Sequence, residues 1–222
     1  MASFNIAKNS VLRRSGIFMA AALTLAGMAL VSPQPAKAAG PMFASVDLAL
    51  VFNKSNDKAK ADIELQKLGQ GLQTAFQSQQ QGVMLSNTEL RTLGQISQKA
   101  VQTDSDKASI QQLLAKSKKD ADELAALQQK KESDLTEADK LRLSTLTAQQ
   151  QAGQQALSDL NGEYRQILDQ KSQELNAQIN AHMKEVISQV AVKQGISVVF
   201  DSTVAVYTAA DISKDVLAQL NK

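Results

Sequence analysis

A long stretch without proline, residues 57–194, constrains this chain more than any other feature. It is dominated by Gln, Ala, Leu, Lys, Glu and Asp, which are mostly good helix formers. Only two aromatic residues, Phe76 and Tyr164, lie within it. So few large apolar side chains cannot build a thick globular core, but they can line a narrow stripe between paired helices. We therefore expect long paired helices.

The apolar stripe is clearest in the second half of this stretch. A helix over residues 137–193 would be roughly 85 Å long at ~1.5 Å per residue, and it cannot bury such a stripe alone. Its partner has to be the first half, which predicts a long antiparallel helical hairpin. The stripe consists of Leu157, Leu160, Tyr164, Ile167, Leu168, Leu175, Ile179, Met183, Val186, Ile187 and Val190.

Polar breaks interrupt the first half of the stretch. Ser86 followed by Glu89 is a capping box that starts a new helix, and residues 103–106 form a polar loop or a second helix start. The tip of the hairpin is expected near residues 131–136, with Thr136 capping the helix that follows.

Strand signals occur only near the two ends of the stretch. Residues 196–200 and 204–207 are β-branched and aromatic, and the turn-compatible residues 201–203 between them predict a β-hairpin. A lone hairpin is marginal in water, so a third strand is needed, and residues 43–47 are the remaining candidate. The sequence therefore predicts a small sheet built from both ends.

Two amphipathic segments can cover this sheet. Leu48, Val51 and Phe52 fall on one helical face directly after the first strand. Residues 215–220 form a short amphipathic helix at the end of the chain, and Ser213 is its expected N-cap.

Residues 1–38 are typical of a secretory signal peptide, with cleavage expected after Ala38. Three basic residues precede an apolar run at 17–31, and an Ala-x-Ala signal follows at 36–38. The apolar run is shorter than the ~18 to 20 residues of a membrane-spanning helix, although an uncleaved N-terminal anchor stays an alternative. After cleavage we expect no stable membrane insertion.

The net positive charge of the chain, +2, comes from this leader. The leader contains 4 of the 24 basic residues and no acidic one, so 20 basic and 22 acidic residues remain, a net charge of −2. Binding of nucleic acid or anionic membranes through bulk charge therefore has no support.

Catalytic motifs are missing from the sequence. The chain contains no Cys, no P-loop, no Ser-His-acid arrangement and no H-E-x-x-H. The single histidine, His182, is interpreted as an ordinary helix residue. The acidic groups Asp104/Asp106 and Asp120/Asp122/Glu123 lack the glycine and spacing of a calcium loop. We expect neither enzymatic activity nor a cofactor or metal.

The two ends together resemble the OmpH/Skp family of periplasmic outer-membrane-protein chaperones. The resemblance is carried by SVDLALVFNKS at residues 45–55, by the long helical middle, and by the order of the closing motifs. Those motifs are a strand ending in Asp201, a second strand ending in Tyr207, and Asp-Ile-Ser at residues 211–213 before the last helix.

This resemblance implies a predominantly α, α+β fold. A β body is formed by residues 39–56 and 195–222, and a helical arm by residues 57–194. The family forms homotrimers in the periplasm and holds unfolded outer membrane β-barrel proteins without ATP, so both partners are expected here. We expect the body and oligomer interface to include Phe43, Val46, Phe52, Val198, Phe200, Val204, Val206 and Tyr207.

Other hypotheses stay open. The glutamine-rich arms either contact clients or are the solvated surface of a plain coiled coil, and no single client-binding residue is assigned. A structural periplasmic hairpin that bridges envelope components is the main alternative function. Such a bridge would need an apolar tip, whereas residues 130–136 are polar and charged.

Overall fold

Helices dominate the part of the chain that the structure describes, residues 42–222 of a computed structural model. Six α-helices and a small two-stranded sheet make up its secondary structure. The predicted signal peptide and its cleavage site lie outside the described residues. Across residues 42–222, no helix combines the length and the apolar character needed to cross a membrane.

The elements follow one another with short connections. A 3₁₀ turn at Glu132–Asp134 separates the fourth and fifth helices. In chain order the elements are β1 (Phe43–Val46), α1 (Leu48–Lys54), α2 (Asn56–Gln81), α3 (Asn87–Ser97), α4 (Asp104–Gln129), α5 (Glu137–Gln194), β2 (Val198–Asp201) and α6 (Ser213–Leu220).

Side-chain caps fix where the arm helices begin. At each of four helix starts a hydroxyl accepts a hydrogen bond from a backbone N–H in the first turn, which satisfies one of the donors that a helix leaves unpaired. The predicted capping box at Ser86 and cap at Thr136 are confirmed, and residues 103–106 are a helix start. The four capping residues are Ser55, Ser86, Thr103 and Thr136.

Between residues 56 and 129 the chain reverses direction twice. The Gln79 side-chain amide near the end of α2 donates to the Leu90 carbonyl at 2.8 Å, and Gly71 lies beside Gln98, so α3 runs back along α2. Helix α4 then reverses against α3. Its ion pairs with α3 and the loop after it are Lys99 to Asp106 at 2.7 Å and Lys116 to Glu89 at 2.5 Å.

Helix α5 packs against all three of these helices. Its 58 residues span roughly 87 Å at ~1.5 Å per residue, so it is the longest element of the described chain. Ion pairs mark its neighbours in turn: Arg142 with Glu123 of α4 at 2.6 Å, Glu163 with Arg91 of α3 at 2.6 Å, and Lys171 with Glu64 of α2 at 2.9 Å.

The sheet joins the two ends of the described chain, as the sequence predicted. Strands β1 and β2 run parallel, with Phe43 opposite Val198 and Ser45 opposite Phe200. The predicted hairpin between residues 196–200 and 204–207 is wrong, because residues 204–207 form no strand. The third position in the sheet is a single bridge between Ser45 and Asp211.

A local turn explains why the hairpin does not form. The Asp201 side chain accepts a hydrogen bond from the Thr203 N–H at 3.0 Å, and the Asp201 carbonyl accepts from Val204 at 3.0 Å and Ala205 at 3.2 Å. These bonds curl the chain at the end of β2, so residues 204–207 cannot run back beside it.

One face of the sheet covers the main core of the body. Ala44 and Val46 point into this core and are almost fully buried. The predicted covering face of α1 is confirmed, with Val51 fully buried and Leu48 and Phe52 packed at the edge of the core. Helices α5 and α6 complete it with Met183, Val186, Val190, Ala191, Val216 and Leu220.

The predicted cap of the last helix is wrong. Ser213 is the first residue of α6 and makes no N-cap bond to its own helix. Instead the Asp211 carboxylate accepts hydrogen bonds from the Ser213 N–H at 2.9 Å and from its hydroxyl at 2.5 Å. The Ser213 hydroxyl in turn accepts from the Asp47 N–H at 2.8 Å, so it ties α6 to the end of β1.

Candidate functional site

On the second face of the sheet the apolar side chains are exposed, and only Ser45 is buried, where its hydroxyl hydrogen-bonds with the Thr208 hydroxyl at 2.7 Å. Because side chains alternate along a strand, Phe43 on β1 and Val198 and Phe200 on β2 point away from the core. Their exposed fractions are 48%, 40% and 41%. The Phe43 and Phe200 rings stack with centroids 6.1 Å apart. We call these three residues the bare sheet face.

One edge of this sheet is also open. Strand β1 is hydrogen-bonded on both sides. One neighbour is β2, and the other is the segment at residues 210–212, where the Ile212 N–H donates to the Ser45 carbonyl at 2.9 Å. Among residues 42–222 no strand pairs with the outer edge of β2. An unpaired edge beside an apolar face is a site where another strand can add.

The remaining predicted interface residues fall into two groups. Val204, Val206 and Tyr207 are strongly exposed in the loop after β2. Val46 is instead buried in the core behind the sheet, and Phe52 packs at the edge of that core. The fold therefore brings Phe43, Val198 and Phe200 together. The exposed residues Val204, Val206 and Tyr207 follow β2 in the sequence.

Asp211 anchors this loop where it returns to the sheet. Its hydrogen bonds from the Ser213 side chain and backbone hold the pKa of the Asp211 carboxyl below its ordinary value. The Ser45 N–H donates to the Ala210 carbonyl at 2.9 Å in the same place. Sequence reasoning missed this role, although an Asp side chain commonly accepts a hydrogen bond from the backbone N–H two residues later, in an Asx turn.

The helices offer a polar surface with scattered apolar side chains. Most glutamines of α2 and α5 are exposed, but Gln79 is fully buried and accepts a hydrogen bond from the Tyr164 hydroxyl at 3.1 Å. Burial raises the pKa of the Tyr164 hydroxyl. Exposed apolar residues on the helices, such as Ile63 and Leu141, are far apart in the sequence. Such a surface can make many weak contacts.

His182 has a partner that its sequence neighbours did not reveal. Its Nδ1 lies 2.6 Å from the Asp57 carboxylate, which α2 places opposite α5 just beyond the body. Helix pairing alone brings these residues together, since they are far apart in the sequence. In the described part of the chain, no cluster of three or more metal-ligating side chains occurs.

Comparison with known proteins identifies a family. A family model described as outer membrane protein (OmpH-like) matches residues 94–220, from the end of α3 to the end of α6. This match covers more than half of the 222 residues. No curated protein and no solved structure matched the chain. The family suggested by the motifs at the two ends is confirmed, and the chain belongs to the OmpH-like family.

Proposed function

We propose that this protein is a periplasmic holdase chaperone that binds unfolded outer membrane β-barrel proteins and keeps them from aggregating without ATP. The single observation that carries this proposal is the OmpH-like match, which includes α4, α5, β2 and α6. Its proposed location follows from the family and from the signal peptide expected at residues 1–38.

The body is the proposed site of self-association. A two-stranded sheet has little stability in water, and this one exposes an apolar face and an open edge. Association of copies through Phe43, Val198 and Phe200 would cover both. A homotrimer is the assembly that the family resemblance implies, with Val204, Val206 and Tyr207 at its margin.

The arm, residues 57–194, is the proposed client-binding part. Three arms projecting from one body would surround an unfolded chain and hold it by many weak contacts, which are strong in sum and individually quick to release. No nucleotide-binding motif occurs in the sequence, so release would depend on transfer of the client to a site that binds it better. Holding the unfolded chain lowers its free concentration and so limits aggregation.

The proposal is tested by diluting a urea-denatured outer membrane β-barrel protein into buffer and recording light scattering. The chain from residue 39 onward should suppress scattering in proportion to its concentration, with no effect of added ATP. Scattering that stays unchanged at a molar excess of the protein would contradict the holdase function. A structural bridge between envelope components would give that negative result.

A further inference from the structure

A continuous groove runs between α2 and α5 beside the body. Two cavities of about 500 and 330 Å³ share Asp62, Leu65 and Ser172 as lining residues, so they form one groove. These volumes lie within or near the roughly 300 to 1,000 Å³ of protein binding clefts. The floor is apolar and consists of Phe52, Ala61, Leu65, Leu168 and Leu175. We call it the α2/α5 groove.

Gly69 keeps the outer part of this groove open. A Cβ atom at residue 69 would meet only the Leu168 Cδ2 atom, at 3.9 Å, which is an ordinary contact. The packing of α2 on α5 therefore does not require glycine here, although glycine in a helix interior costs about 1 kcal/mol relative to alanine. Its consequence is space beside Leu65 and Leu168.

The length of the groove fits a short extended segment. Its α2 side runs from Lys58 to Gly69, roughly 17 Å at ~1.5 Å per residue. An extended chain covers this distance with about five residues at ~3.3 Å each, and its alternate side chains point the same way. Two or three side chains of one strand can therefore reach the floor together.

Charge on the rim adds a second preference. Asp62 and Asp169 line the groove from α2 and α5. Asp62 is paired with Lys58, whereas Asp169 has no ion pair with any residue between 42 and 222. A basic side chain on the bound segment could pair with Asp169 at the groove edge.

We propose that the α2/α5 groove binds an extended client segment in which apolar side chains alternate with polar ones and a Lys or Arg lies next to an apolar residue. Alternation of apolar and polar residues is the sequence pattern of transmembrane β-strands, which an unfolded outer membrane protein still contains. The inference rests on the proposed function and assigns part of the client binding to named residues.

The test uses the absence of cysteine from the chain. Gln66, exposed on the rim, is replaced by cysteine and labelled with an environment-sensitive fluorophore. Three peptides of equal length are titrated: alternating Phe and Ser with one Lys, the same peptide with Glu for Lys, and a peptide with its Phe residues grouped. The alternating Lys peptide should bind most tightly.

Two glycine variants separate groove filling from helix stabilisation. Gly69→Leu fills the groove and should weaken the alternating Lys peptide by about tenfold or more. Gly162→Leu is the matched control, because it gives α5 the same gain in helix propensity where a Cβ would meet nothing within 4 Å. The affinity of the Gly162→Leu variant for the alternating Lys peptide should equal that of the parent.

The Asp169→Asn variant tests the charge on the rim. It should reduce the preference for the Lys peptide over the Glu peptide by about two- to fivefold.

Equal titrations in the parent and Gly69→Leu, or equal binding of all three peptides, would overturn the inference. Light scattering with the same variants distinguishes it from the proposed function. If the parent suppresses aggregation but the peptides do not bind in the α2/α5 groove, only the groove assignment fails. If the peptides bind as expected but the parent does not suppress aggregation, the holdase function fails and the groove preference stands.

Discussion

Gly153 and Gly162 of α5 lie in opposite environments, and the sequence alone does not distinguish them. A Cβ at Gly153 would overlap the Val83 carbonyl oxygen. The turn between α2 and α3 therefore lies so close to α5 that only glycine fits at residue 153. At Gly162 the space is open. The same residue type therefore serves packing at one position and only weakens the helix at the other.

Gly153→Ala should lower the free energy of unfolding by about 1 to 2 kcal/mol, because the overpacking exceeds the gain in helix propensity. Gly162→Ala is the control and should raise it by up to about 1 kcal/mol. Urea unfolding followed by circular dichroism measures both. A stabilised Gly153→Ala variant would mean that the turn does not contact α5 in this way.

Asp106 makes the start of α4 sensitive to acid. The Lys99 ammonium and then the Thr103 backbone and hydroxyl lower the pKa of the Asp106 carboxyl from 3.8 to about 2. A lowered pKa means that the ionised carboxylate stabilises the fold above the ordinary pKa, and that this contribution is lost as the pH falls from about 3.8 towards 2.

We therefore expect Asp106→Asn to be less stable than the parent near neutral pH, and the difference to disappear as the pH approaches about 2. Unfolding midpoints at a series of pH values measure this difference. Asp104→Asn, which loses one exposed ion pair to Lys107, is the control and should show little change. A stability difference that is constant with pH would contradict the role given to Asp106.

At the scale of elements, the sequence predicted where helices begin but not which way they run. A capping box such as Ser86 with Glu89 marks a helix start and says nothing about direction. The return of α3 along α2 depends on buried contacts between distant residues, above all Gln79 with the Leu90 carbonyl. A fully buried Gln cannot be told from the many exposed ones by composition.

Gln79→Leu should destabilise the fold by about 1 to 3 kcal/mol, because it leaves the Leu90 carbonyl and the Tyr164 hydroxyl without their partner. Gln80→Leu changes an exposed neighbour by the same chemistry and should have little effect on stability. Thermal unfolding of both variants measures the difference. Equal midpoints would show that the buried amide does not hold α3 in place.

At the sheet, by contrast, local sequence predicted a strand that the folded chain does not form. Residues 204–207 have high β propensity, yet the turn at Asp201 and the return of the chain to Ser45 prevent a hairpin. Phe43, Val198 and Phe200 were expected in the interface together with Val46 and Phe52, which pack against the core instead. Only the pairing of β1 with β2 shows that the first three share one face. The α2/α5 groove could not be predicted, since it depends on how two helices face each other.

At the scale of the molecule, a small β body continues into a long helical arm. The body places an apolar face and an open strand edge on the surface, and the arm provides a glutamine-rich surface and a groove. These features and the OmpH-like match are the basis of the proposal that copies assemble through the body and hold clients with their arms.

The mass in solution of the chain from residue 39 onward, alone and as Phe200→Asp, tests the assembly on which this account depends. The parent should have the mass of a trimer, and Phe200→Asp should have that of a monomer with unchanged helix content, because a charge on the bare sheet face opposes its burial. Val101→Asp, at an exposed apolar residue outside the body, should remain a trimer. A monomeric parent, or a Phe200→Asp variant that keeps the mass of a trimer, would contradict the account.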